Sequence, residues 1–104
     1  MDRVQVLNTI FVSRHEGAVR WINSQPIRVD RFESHLDLTS VDAGDTVIGT
    51  LPVQLAAKVC EKGAIYLHIV LDLSENQRGV ELTSQDISHA GAHLRAFIVK
   101  AEDE

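Results

Sequence analysis

The sequence predicts an α/β domain in which helices flank a small parallel sheet of about four strands. Three observations carry this expectation. Thr9-Ile-Phe-Val12 is an apolar, mostly β-branched run that stops at the polar turn Ser13-Arg14-His15, and a helical pattern follows through Ala18, Val19, Trp21 and Ile22. The same order of run, turn and helix recurs over Thr46-Val-Ile-Gly-Thr-Leu-Pro-Val-Gln-Leu-Ala-Ala57. A third apolar run, residues 64–71, lies between Gly63 and Asp72 and reads as a strand. Strands alternating with helices imply right-handed crossovers and parallel pairing. The likeness of the first two units need not be a duplication, because any parallel βα unit requires that pattern.

Taken in order, the first strand is expected over residues 4–12 and the first helix over residues 16–23. Pro26 opposes continuation of that helix and biases Gln25 away from helical geometry. Residues 27–42 are the least regular part: Ile27, Val29 and Phe32 alternate imperfectly, and one short strand is expected over residues 35–38. Asp42-Ala-Gly-Asp45 is a turn before a short central strand over residues 46–49. Pro52 suits a first helical turn, where its missing N–H costs nothing. Val53, Ala56, Ala57, Val59 and Cys60 give that second helix an apolar face, and Gly63 is a good residue to follow its end. A polar connection over residues 74–79 leads to Val80-Glu-Leu82. Thr83 with Asp86 three residues on forms a variant capping box. Ile87, Ala90, Leu94, Phe97 and Ile98 recur at helical spacing, which predicts one long final helix packed on the sheet. Residues 100–104 form an acidic tail.

Composition narrows the function classes. The 104 residues fit one domain, and an apolar content of 44% argues against disorder. Fifteen acidic against ten basic residues leave a net charge of −5, which disfavours general binding of long nucleic acid. A small anionic ligand remains compatible, because local arginines and helix N-termini can oppose the global field. The single cysteine, Cys60, precludes an intramolecular disulfide and falls in an apolar helical pattern, as an inert core thiol would. No apolar run approaches the roughly 20 residues that span a bilayer, and Met1-Asp-Arg-Val-Gln5 lacks the features of a signal peptide. A cytoplasmic protein without membrane contact is expected.

Ligands of open α/β sheets bind at the carboxyl ends of the strands, where neighbouring connections leave in opposite directions. If the strands of the first two units are neighbours of that kind, Ser13, Arg14, His15, Gly49 and Thr50 share one pocket. Arg14 at a strand-to-helix turn can grip phosphate oxygens through paired hydrogen bonds, or else form a surface salt bridge with Glu16. His15 can donate to phosphate or move a proton near neutral pH. Ser13 binds phosphate or caps the first helix. Gly49-Thr50 lets a ligand approach the backbone closely, and Gln54 in the first turn of the second helix could touch a base, ribose or phosphate. Arg78 lies in a loop at the same end of the sheet and could supply a second cation. His89 and His93 stand four residues apart on the expected final helix, but no third metal ligand is evident and a solvated face is expected there. His68 reads as a hydrogen-bonded interior or interface residue. No phosphate loop, dinucleotide fingerprint or Ser-His-Asp order is present.

Phe11-Val-Ser-Arg-His15 with Gly17-Ala-Val19 and Trp21, then Asp45-Thr-Val-Ile-Gly-Thr-Leu-Pro52, Leu71-Asp-Leu73 and Arg78-Gly-Val-Glu-Leu82, together resemble a family of small accessory proteins encoded beside type III CRISPR systems. The resemblance covers about residues 5–98, with residues 27–42 matching poorly. It implies a Rossmann-like fold similar to the CARF domain, a sensor of cyclic oligoadenylates. It further implies a ring nuclease that opens this messenger, with the tetra-adenylate ring foremost, and so switches off antiviral signalling. Carried onto this chain, it points to Arg14 and His15 for chemistry and to Ser13, Gly49, Thr50, Gln54 and Arg78 for binding. The chemistry then expected is attack by the ribose 2′-hydroxyl without metal or cofactor. A homodimer would match the symmetry of the ring, with the edge of the 64–71 strand or the helix beside it as the contact. The alternatives are a protein of the same fold that sequesters the messenger uncut, and a structural or interaction subunit with no affinity for it.

Overall fold

The computed structural model describes residues 6–72 and 81–102. Their element order is β1 (Thr9–Val12), α1 (Glu16–Asn23), β2 (Arg31–Glu33), a 3₁₀ turn (Leu38–Ser40), β3 (Thr46–Gly49), α2 (Val53–Glu61), β4 (Ile65–Val70), α3 (Ser84–His89) and β5 (His93–Phe97). The strands form one sheet in the order β2-β1-β3-β4-β5. The first four are parallel, and β5 runs antiparallel to β4. This α/β architecture is compatible with a Rossmann-like fold.

Side chains alternate across the sheet, so each strand contributes to two cores. Ile10, Val47 and Tyr66 face α2 and pack with Ala56 and Val59. Phe11, Ile48 and Ile69 face the other way and pack with Trp21 and Ile22 of α1 and Ile87 of α3. Ile10, Phe11, Val47 and Ile48 are fully buried, each contributing about 1.5–3 kcal/mol of transfer free energy. That two-sided burial is why β1 and β3 read as unbroken apolar runs.

The turn before β3 is held by Asp45, which is fully buried. Its carboxylate accepts the backbone N–H groups of Asn8 and Asp42, both at 2.9 Å. One side chain thereby ties the entry of β1 to the entry of β3. At the other end of β3, Gly49 permits close strand approach: a Cβ there would lie 2.8 Å from the Val12 carbonyl oxygen.

α1, β3 and α2 occupy the residues that the pattern predicts. Other elements differ. Within the described residues β1 starts at Thr9, and Val6 and Leu7 before it are exposed. The short strand expected over residues 35–38 lies earlier, as β2, and that region instead enters the 3₁₀ turn capped by Asp37. β2 is an edge strand whose Phe32 stacks edge-on against Phe11 while Arg31 and Glu33 pair at 3.2 Å. Its charged alternation therefore conceals its pairing.

The long final helix is the largest correction. The capping box forms as expected, with Thr83 and Asp86 each accepting the other's backbone N–H. Hydrogen bonding from Thr83, its backbone N–H foremost and then its side chain, holds the Asp86 carboxyl below its ordinary value. Yet α3 ends at His89, and Gly91 turns the chain with φ 71°. That left-handed conformation favours glycine and stops the helix. Residues 93–97 then pair along β4, placing Leu94 in the α1/α3 core. Among the described residues the sheet therefore has five strands. β5 also covers the edge of β4 that the sequence offered as a dimer contact, and His89 and His93 fall on different elements.

Candidate functional site

The strand order creates the switch point the sequence called for. From β1 the chain crosses to β2 on one side, whereas β3 lies on the other. Between the carboxyl ends of these strands lies a cleft of about 300 Å³. Val12, Ser13, Arg14 and His15 line it from the β1 turn, and Thr50, Leu51, Pro52 and Leu55 from the β3–α2 turn. Ser34, His35 and Leu36, which follow β2, close the third side.

Arg14 and His15 are exposed at the mouth. The salt bridge that would have made Arg14 a surface ornament is absent among the described residues: Glu16 is held by Arg20 at 2.6 Å. Ser13 has a local role different from a helix cap. Its hydroxyl accepts the His15 N–H at 3.1 Å, and its own N–H donates to the Glu33 carbonyl at 3.0 Å. Ser13 thus shapes the turn and extends the β1–β2 ladder to the edge of the cleft. His15 is the N-cap of α1, and Pro52 is the N-cap of α2. Neither supplies a side-chain cap, so both helices begin at the cleft with their first two N–H groups left for an anion.

Among the described residues no carboxylate lines this cleft; its charged or titratable side chains there are Arg14, His15 and His35. The local field is therefore opposite in sign to the chain's net charge of −5. A smaller cavity of about 140 Å³ adjoins it, sharing Val12, Ser13, His15 and Thr50 and reaching the apolar Trp21, Ile69 and Ile87. Polar and apolar hollows meeting at one switch point suit a ligand with both phosphate and an apolar ring.

The other expected residues are placed differently. Gly49 is buried and acts by strand packing, with Thr50 rather than Gly49 reaching the cleft. Gln54 is exposed on α2 and is not among the lining residues. Arg78 lies outside the described residues. Among the described residues, no group of three His, Cys, Asp or Glu side chains is arranged to hold a metal ion, and no helix is long and apolar enough to cross a membrane.

Two features of the site escaped the sequence. His35 and Ser34 reach the cleft because β2 ends at Glu33; placing a strand over residues 35–38 hides them. Tyr66 on β4 braces the β3–α2 turn from beneath. Its hydroxyl accepts the Leu51 N–H at 2.9 Å and donates to the Gly49 carbonyl at 3.2 Å. His68 Nδ1 lies 2.6 Å from the same oxygen and, when it carries the proton, donates a third bond. Burial pushes the Tyr66 phenol up, partly offset by the Leu51 N–H, so the hydroxyl stays protonated at neutral pH. His68 is the hydrogen-bonded residue expected. Cys60 is half-buried and accepts the Val99 N–H at 3.4 Å.

No curated protein and no solved structure matches the chain. A family model described as "Putative CRISPR-associated protein (Cas_VVA1548)" matches residues 10–100, a span that includes both turns of the cleft and the β2 end opposite them. With nearly its whole length matched, the chain belongs to this family of CRISPR-associated proteins.

Proposed function

We propose that the cleft between the β1 and β3 ends binds a cyclic oligoadenylate, with cyclic tetra-adenylate the foremost candidate, and opens it as a ring nuclease of a type III CRISPR system. The observation that carries this reading is the convergence of Arg14, His15 and Thr50 in a cleft with no lining carboxylate among the described residues, at the start of two helices. CRISPR-associated family membership supplies the context in which such a ligand occurs.

The reaction requires little apparatus. A ribose 2′-hydroxyl beside a phosphodiester can attack phosphorus in line once the ring is held in the right conformation, and orientation alone contributes several kcal/mol. Arg14 stabilises charge developing on the non-bridging oxygens. His15 moves a proton, a contribution of about 10²- to 10⁴-fold. The product is a linear oligoadenylate ending in a 2′,3′-cyclic phosphate. No cofactor is part of this scheme.

A ring of four nucleotides is broad for one cleft of about 300 Å³. A two-fold homodimer would set two copies of Arg14 and His15 around it. Incubating the purified protein with cyclic tetra-adenylate and separating the nucleotides by chromatography tests the activity. Linear product supports the nuclease; tight binding of intact ring would leave a sequestering protein, and neither would leave an interaction subunit.

A further inference from the structure

We infer that His35 is the second proton-transfer group of this cleft, paired with His15 across the scissile phosphate. The inference rests on the ring-opening reaction proposed above and assigns it a residue from β2.

The pairing follows from strand geometry. β1 and β2 are parallel neighbours with Val12 opposite Glu33. The ladder continues one step further, because the Ser13 N–H donates to the Glu33 carbonyl at 3.0 Å. The chains then part around the cleft, with His15 three residues beyond Val12 and His35 two residues beyond Glu33. Both line its wall. Each is backed by a fixed backbone: Ser13 Oγ accepts the His15 N–H, while beyond His35 the Asp37 carboxylate caps the 3₁₀ turn and Arg31 holds the Ser40 carbonyl at 3.2 Å. Neither imidazole makes a hydrogen bond or ion pair with another described residue. Among the described residues the remaining charged group on the cleft wall is Arg14; the β3–α2 turn contributes Thr50, Leu51, Pro52 and Leu55, none of which titrates.

The chemistry needs two proton transfers. The 2′-hydroxyl must lose a proton as its oxygen bonds to phosphorus, and the departing 5′-oxygen must gain one as its bond to phosphorus breaks. One neutral imidazole accepts the first proton, and one imidazolium supplies the second. Ring opening then yields a 2′,3′-cyclic phosphate and a 5′-hydroxyl with no water consumed. Solvent exchange resets both rings. Arg14 supplies positive charge to the phosphate and serves neither transfer. Histidine is the side chain whose ordinary titration range allows both roles near neutral pH.

The test is the pH dependence of kcat for opening cyclic tetra-adenylate by wild type, His35→Ala, His35→Gln and His15→Ala. Wild type should give a bell-shaped profile. Each histidine variant should lose about 10²- to 10⁴-fold in kcat at the optimum, with KM little changed, and should lose one limb of the bell. His35 is exposed, so circular dichroism of its variants should match wild type, and His35→Gln preserves polarity while removing proton transfer. A wild-type protein that leaves the ring intact overturns both this pairing and the nuclease reading. A wild type that cuts, with His35 variants that keep kcat and both limbs or change only KM, overturns the pairing alone.

Discussion

Replacing Arg14 with alanine separates the proposed site from the scaffold. The side chain is exposed and makes no ion pair among the described residues, since Arg20 occupies Glu16 at 2.6 Å. Its removal therefore breaks no ion pair or hydrogen bond among the described residues, and a surface change of that kind stays within about 0.5 kcal/mol. For a domain of this size that is a shift in Tm of no more than about 4 °C. A charge-assisted hydrogen bond to phosphate is worth roughly 1.5–3 kcal/mol. At 1.36 kcal/mol per tenfold, ring opening should slow by about 10- to 150-fold. If the contact strengthens as charge develops on phosphorus, kcat falls more than KM rises. Arg14→Lys keeps the charge but not the planar fork, and should recover part of the rate. Single-turnover kinetics beside a thermal melt measure both quantities on one preparation. An Arg14→Ala protein that melts normally and cuts at the wild-type rate would show that Arg14 is a surface charge and that the cleft is not the reaction site.

Other expectations follow from the same geometry. Asp45→Ala removes the buried carboxylate that accepts the Asn8 and Asp42 N–H groups, two bonds at about 1.5–3 kcal/mol each, so urea unfolding should show a loss of several kcal/mol; a variant within about 1 kcal/mol of wild type would refute that role. Tyr66→Phe removes the brace under Leu51 and Gly49 and should cost roughly 1–3 kcal/mol of stability together with some ring affinity, measured by melting and calorimetry; unchanged affinity would uncouple β4 from the cleft. Ring opening should persist in EDTA, and a 2′-deoxyribose beside the scissile phosphate should block cutting while binding remains, with nucleotide chromatography as the assay. Activity restored only by a divalent ion, or normal cutting of the deoxy ring, would refute internal attack. Light scattering at micromolar concentration should give the mass of a dimer, and a monomer with and without ligand would refute the two-fold arrangement.

The βα units at Thr9–Asn23 and Thr46–Glu61 were legible because their signals are local. Apolar strand runs end at polar turns, and amphipathic helices begin within a few residues. The same locality placed Ser13, Arg14, His15 and Thr50 at strand ends before any contact was known. What local pattern could not determine was pairing. Leu94, Phe97 and Ile98 satisfy a helical spacing as readily as the 93–97 segment satisfies a strand, and the open edge of β4 decides between them once Gly91 breaks α3. β2, three residues long and charged at both ends, becomes a strand because β1 offers it a hydrogen-bonding partner. His35 could enter the candidate site only through that pairing. Gly49 shows the converse: the sequence located it at the right turn, but the 2.8 Å approach of Val12 turns a suspected ligand contact into a packing requirement. Local periodicity determined the helices and buried strands, whereas competition for unpaired backbone edges determined the sheet's borders and the third wall of the cleft.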